Sequence, residues 1–201
     1  MSNKTKKYFT FVTGKLVFSL GITLGNKSLF GGNSMAILVV GISKHLPLSY
    51  GTCNLIVAII EMLVGLYFEK KNVTWVSWLA MVFGSYLIDF TNILIPSTSV
   101  ISARVMYMLI GTICYCMGLA LEQTANIGYS NLDVFIFGLK KALKQDTYHS
   151  TKWIVDICFI AIGLLLGSVV GIGTVILLAF AGILIERFRK IFEKLLGTQN
   201  D

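Results

Sequence analysis

The residues of this chain best able to do chemistry are charged side chains set into otherwise apolar stretches. Glu61 lies in the middle of the run Leu55–Phe68, and Asp156 lies about one turn into Trp153–Val170. Asp89 ends the run Val73–Ile88, Asp133 opens a short apolar segment, Glu122 closes Val105–Leu121, and Lys15 sits within Phe9–Leu24. A charge at the centre of a hydrocarbon layer costs about 2.5–3.5 kcal/mol on insertion scales, so such residues mark ion pathways, proton relays or buried pairs. Glu61 is the deepest and is expected to be a proton- or cation-coupling carboxylate; the alternative is a structural pair, for example with Lys15. Asp156 is a second coupling candidate, with Lys152 as a local partner at i,i+4. Asp89 and Glu122 lie near the ends of their runs and are expected to be hydrated caps.

A second group of polar residues precedes two short apolar segments, Met35–Ile42 and Leu132–Leu139. Asn33, Ser34, Ser130, Asn131 and Asp133 stand where a helix beginning at each segment would present free N–H groups and the positive end of its dipole. Capping is their first role; binding of a substrate is the further expectation.

Other motifs point away from catalysis. Gly171-Ile172-Gly173-Thr174 lacks the lysine of a phosphate loop, so close helix joining with Thr174 as a cap is expected. Cys53, Cys114, Cys116 and Cys158 lie in apolar runs without metal-ligand spacing and are read as packing residues. His45 and His149 are expected in loops beside lysines. The chain is not expected to be an enzyme, and neither metal nor cofactor is expected.

The elements that would position these residues are membrane spans. The chain is 55% hydrophobic and 13% charged, where soluble domains are roughly a quarter charged. The apolar excess is concentrated in Phe9–Leu24, Cys53–Phe68, Val73–Ile95, Val105–Leu121, Trp153–Val170 and Ile172–Ile185. With their uncharged flanks these runs approach the ~20 residues that cross a ~30 Å core. A soluble helix would show a polar face, and a β-barrel strand would alternate; the runs do neither. Lys4, Lys6 and Lys7 before the first run resemble a signal peptide, but no small-residue cleavage site follows. Phe9–Leu24 is therefore read as a retained span.

The predicted class is all-α: a polytopic membrane bundle of about six spanning helices plus two short re-entrant or half-helices. With the N-terminus inside, Lys70, Lys71, Lys140, Lys141, Lys144, Lys152 and the basic tail share its side, while Lys27, Lys44 and Arg104 lie opposite. This balance fits the positive-inside rule and places both termini in the cytoplasm of a bacterial cell. The tail, with Phe188, Ile191, Phe192, Leu195 and Leu196 at helical spacing among basic residues, is read as an amphipathic extension on the anionic inner leaflet.

The two halves resemble one another. A shift of 97 places Gly14 on Gly111, Gly21 on Gly118, Gly31 on Gly128 and Gly41 on Gly138; a shift of 98 places Gly65 on Gly163 and Gly84 on Gly182. Eight helical residues rise only ~12 Å, too little to cross, so each half has three spans and the second is inverted relative to the first. If the short segments do cross, the chain has eight spans in parallel repeats. The expected organisation is a cytoplasmic tail at 1–8, a first repeat at 9–95, a second at 105–188 and a basic cytoplasmic tail at 189–201.

Ile127-Gly128-Tyr129-Ser130-Asn131-Leu132-Asp133 resembles a family's glycine, proline and aspartate turn, with Ser130 and Asn131 in place of the proline. Gly163-Leu164-Leu165-Leu166-Gly167 and Gly171-Ile172-Gly173-Thr174 resemble its late glycine-rich signature. The first half carries Met35-Ala36 where the family commonly has an aspartate. The resemblance, over most of residues 9–190, is to the YczE/YyaS/YitT group of bacterial membrane proteins. It implies an integral membrane protein of transport-related character. The leading expectation is a small-solute transporter; a substrate-capture subunit with a separate energising partner, or a non-transporting membrane scaffold, are the alternatives. Expected partners are the lipid bilayer, a small-molecule or ion substrate that the sequence does not identify, and a second copy or another membrane protein. Nucleic acid is not expected.

Overall fold

A backbone in lipid must satisfy its own N–H and C=O groups, and continuous helix is the local solution. The computed structural model describes residues 3–69, 73–128 and 130–196, and every regular element among them is an α-helix. Eight are present: α1 (Asn3–Ser28), α2 (Ser34–Ser43), α3 (Tyr50–Phe68), α4 (Trp75–Leu94), α5 (Ile101–Ala125), α6 (Asn131–Ala142), α7 (Tyr148–Leu165) and α8 (Ile172–Leu196). The sequence positions Lys70, Lys71, Tyr129 and 197–201 lie outside the described residues.

Five of these helices are long and apolar enough to cross a membrane: Thr5–Ser28, Tyr50–Phe68, Trp75–Leu94, Ile101–Ala125 and Tyr148–Leu165. Their outer faces carry exposed Leu63, Tyr67, Phe90, Ile93, Ile113, Ile157 and Leu165, the surface a lipid-facing helix presents. The protein is a helical membrane bundle. α8 is different. It is 25 residues long, but Glu186 and Arg187 end its apolar run after Ile185, about 21 Å of helix. The expected sixth crossing therefore has the shortest apolar run of the six. The basic tail continues α8 without a break to Leu196, braced by i,i+4 pairs Glu186–Lys190 at 2.9 Å and Arg189–Glu193 at 3.6 Å.

The two short segments are helices slightly longer than the apolar runs suggest. α2 has 10 residues and α6 has 12, about 15 and 18 Å, well under the ~30 Å core. The helix starts at 34, 50 and 75 are followed by starts at 131, 148 and 172. Both halves thus run long helix, short helix, long helix, long helix.

Contacts divide the chain into two units that each draw on both halves. Unit 1 comprises Met1–Asn33, Phe90–Ile127 and Val170–Asp201; unit 2 comprises Ser34–Asp89 and Gly128–Val169. The unit boundaries therefore cut across the sequence halves 9–95 and 105–188.

In unit 1, α1 and α5 pack through glycines. A Cβ on Gly14 would lie 3.0 Å from the Gly118 carbonyl, and one on Gly21 would lie 2.9 Å from the Gly111 carbonyl. Rising numbers on α1 meet falling numbers on α5, so the helices are antiparallel. Small residues let backbones approach where lipid removes any hydrophobic drive between helices. Beside this seam, buried Ser19 and Thr23 of α1 meet buried Thr91 of α4, with Thr23 Oγ1 2.7 Å from Thr91 Oγ1. Near the start of α8, the Gly173 N–H donates to the Phe30 carbonyl at 2.8 Å. Gly31, at φ +87°, lies against Gly171 and Thr174, so the close joining at Gly171–Thr174 is present. Thr174 is not a cap: its buried hydroxyl has no hydrogen-bond partner among the described residues.

In unit 2, two short helices pack beside two long ones. A Cβ on Gly41 of α2 would lie 2.9 Å from the Gly163 carbonyl of α7, and one on Gly138 of α6 would lie 2.6 Å from the Gly65 carbonyl of α3. Both pairs are parallel: Ser34 meets Asp156 and Gly41 meets Gly163, while Asn131 meets Glu61 and Gly138 meets Gly65. All four helices feed one apolar cluster: Leu38 and Val39 from α2, Cys53 and Val57 from α3, Ile136 from α6, and Val155 and Phe159 from α7.

These approaches set different tolerances. Gly118→Ala would press its methyl on the Phe18 backbone and is expected to lose on the order of 1–3 kcal/mol through overpacking. Gly182 has nothing within 4 Å of its added Cβ among the described residues, so it closes no helix contact. Gly182→Ala is expected to be neutral or to gain up to about 1 kcal/mol from helix propensity. Thermal unfolding of the purified variants in detergent checks both; equal shifts would contradict the packing account.

Candidate functional site: two buried acids at two helix starts

The N-termini of α2 and α6 each meet a carboxylate from a long helix. Ser34, the first residue of α2, donates from Oγ to Asp156 Oδ1 at 2.5 Å. Asn131, the first residue of α6, donates from Nδ2 to Glu61 Oε2. Glu61 lies near the middle of α3 and Asp156 near the middle of α7. Both are buried, Glu61 at 2% exposure and Asp156 at 5%. A carboxylate beside a helix N-terminus is stabilised by the positive end of the dipole, which helps to explain why acids persist in these apolar surroundings.

The two acids differ in what completes their shells. Asp156 Oδ2 is 2.6 Å from Lys152 Nζ, one turn earlier on α7, the local pair expected from their spacing. Among the described residues Glu61 Oε1 has no hydrogen-bond partner, and the charge that acts on it is that of another acid, Asp133. Asp133 is held by α6 itself and by α7. The Ser130 hydroxyl donates to Asp133 Oδ2 at 2.8 Å and accepts from its backbone N–H at 3.2 Å, closing the cap of α6. The Tyr148 hydroxyl donates to Asp133 Oδ1 at 2.6 Å.

Of the residues expected to form a site, the structure gathers Ser34, Ser130, Asn131, Asp133, Glu61 and Asp156 in unit 2. Asn33 belongs to unit 1. The hydroxyl of Tyr148 was not foreseen; lying just before the apolar run of α7, it gave no sign of reaching Asp133.

Three other expectations need correction. Lys15 does not pair with Glu61. It pairs with Glu122, Nζ to Oε2 at 2.7 Å, with the side chains 12% and 9% exposed. Glu122 is therefore not a hydrated cap. Antiparallel packing carries the last turns of α5 alongside the middle of α1, which buries Glu122 against Lys15. His149 is not in a loop; it is the second residue of α7, whose cap Thr147 starts the helix one residue before Tyr148. Asp89 is a cap, though of another helix: its carboxylate accepts from the Gly51 N–H at 2.6 Å and from the Ser49 hydroxyl, at the start of α3.

Paired amide, hydroxyl and carboxylate groups of this kind can bind a polar solute or a proton. Among the described residues no group of three or more His, Cys, Asp or Glu is placed to hold a metal ion.

Comparisons with known proteins give a family and relatives without a stated activity. The family described as "Family of unknown function (DUF6198)" matches residues 5–190. The chain is similar to the "Uncharacterized protein YyaS" of Bacillus subtilis, 21% identical over 197 residues, covering 96% of this chain and 98% of that protein. It is also similar to an "Uncharacterized protein" of Haemophilus influenzae, 26% identical over 179 residues, covering 89% of this chain and 81% of that protein. The YyaS match accords with the resemblance seen in the glycine signature. No solved structure matches the chain.

Proposed function

We propose, from the premise that the chain belongs to the DUF6198 family, that it transports a small solute across the bacterial cytoplasmic membrane by means of two inverted repeats. The observation that carries this reading is the pairing of each short helix start with a mid-helix acid, Ser34 with Asp156 and Asn131 with Glu61. Half-helix ends meeting ionisable groups at membrane depth are how inverted-repeat transporters build their sites. The solute site is Ser34, Ser130, Asn131 and Asp133, preceded in the chain by Asn33, with Glu61 and Asp156 as the coupling acids.

The helix pairings support inversion. Gly14 of α1 faces Gly118 of α5, and Gly21 faces Gly111. Exchanging each glycine for its counterpart in the other half turns the first contact into the second. The pairs α2·α7 and α6·α3 exchange in the same way. Antiparallel α1 and α5 also need an even number of crossings between them. α3 and α4 supply two, so α2 does not cross, and the same reasoning makes α6 a half-helix. Parallel repeats with eight spans would make α1 and α5 parallel.

Topology is testable at the ends of the short helices. In this reading α2 points outward and ends at Lys44, while α6 points inward and ends at Lys140 and Lys141. In a background without Cys158, Lys44→Cys is expected to react with a membrane-impermeant thiol reagent added outside intact cells, and Lys141→Cys only after the inner face is opened. The reverse pattern at Lys44 would restore eight spans. Function is tested by reconstituting the purified chain in vesicles and screening small solutes for gradient-driven uptake. Binding without uptake would instead indicate a capture subunit.

A further inference from the structure

Glu61 and Asp156 occupy corresponding places, yet their surroundings are not equivalent. Asp156 has both oxygens satisfied and a cation in contact: Ser34 on Oδ1 and Lys152 on Oδ2. Glu61 has one oxygen held by the Asn131 amide and the other with no donor among the described residues. An ionised carboxylate buried in this way carries an uncompensated charge and an unmade hydrogen bond.

Among the described residues, the groups facing Glu61 give no cation to offset that charge. α6 contributes Asp133, a second negative charge, and its lysines lie at the opposite end, where Lys141 pairs with Glu69 at 3.2 Å. α2 has no ionisable residue. On α4 the acid Asp89 is engaged at the start of α3, and the helix adds Met81 and Trp78 to an apolar cluster with Ala58 and Met62 of α3. On α7 the charged pair Lys152–Asp156 is closed on itself, with His149 at the helix start. A metal cation would need several further oxygen ligands. A proton needs one oxygen.

We infer that Glu61 is the proton-binding residue of this protein, taking a proton on Oε1, while the Asp156 carboxyl is engaged by Lys152 and Ser34. The two halves are thus alike in fold and unlike in chemistry, and one proton is bound per molecule. Binding forms an O–H bond at Oε1 and neutralises the carboxylate, while Oε2 keeps the Asn131 amide. The inference rests on the transport reading only in making this proton the coupling ion.

Infrared difference spectroscopy of the full-length protein in lipid, recorded between acidic and alkaline buffer, reads the protonated carboxyl directly. One buried carboxylic-acid C=O band is expected in the wild type. It should vanish in Glu61→Gln, shift in Glu61→Asp, and persist unshifted in Asp156→Asn. Glu61→Asp guards against a folding defect, because it keeps an acid at the site. A band that survives Glu61→Gln, or one lost in Asp156→Asn, would overturn the assignment. The measurement needs no solute. A Glu61 band in a protein that moves no solute would remove the transport reading and leave the proton site; uptake by a protein without the band would do the opposite.

Discussion

Lys15→Met is expected to lose about 3–5 kcal/mol of stability, the effect of removing one partner from a buried ion pair. The Lys15 ammonium is 2.7 Å from Glu122, and both side chains are about nine-tenths buried. Its Nζ also lies 5.7 Å from the Phe11 ring centroid and 5.5 Å from that of Phe18, so it bridges the acid and two aromatic faces. Taking away the ammonium leaves the Glu122 charge at the glycine-lined contact of α1 with α5, where Gly14 lies against the Glu122 backbone. The double variant Lys15→Met, Glu122→Met should recover most of the loss, because replacing a whole buried pair by apolar groups is often neutral. Denaturant unfolding in detergent micelles checks both. A loss below about 1 kcal/mol in the single variant would mean that water reaches the pair as it reaches a surface salt bridge.

Glu61→Gln is expected to reduce gradient-driven uptake at least tenfold, about 1.4 kcal/mol in the coupled step, while the protein still inserts and unfolds at nearly the wild-type temperature. Glutamine keeps an oxygen for the Asn131 amide to bond and removes the site where a proton binds, so the change acts on charge and leaves the α3·α6 contact at Gly65 and Gly138 in place. Solute exchange at equilibrium, which needs no net proton movement, should survive better than uptake. Loss of both together with loss of folding would make Glu61 a structural residue only.

What the sequence by itself determined was local. The apolar runs, the short lengths of the segments after Asn33 and Asn131 and the Lys152–Asp156 pair all rest on spacings of a few residues or on composition. Hydropathy and helical periodicity act at that range. The membrane bundle, the two short helices and the candidate acids were therefore legible in the chain.

Tertiary structure decided which charge meets which. Asn131 and Glu61 are 70 residues apart, and Ser34 and Asp156 are 122 apart. Lys15 could have met any acid at its depth. It met Glu122 because Gly14, Gly21, Gly111 and Gly118 bring α1 and α5 into antiparallel contact. The difference between Glu61 and Asp156 was hidden for the same reason. In sequence both are acids in apolar runs, one with Lys152 a turn away; only packing adds Ser34 to that pair and leaves Glu61 with an amide, a neighbouring aspartate and an oxygen unpaired among the described residues.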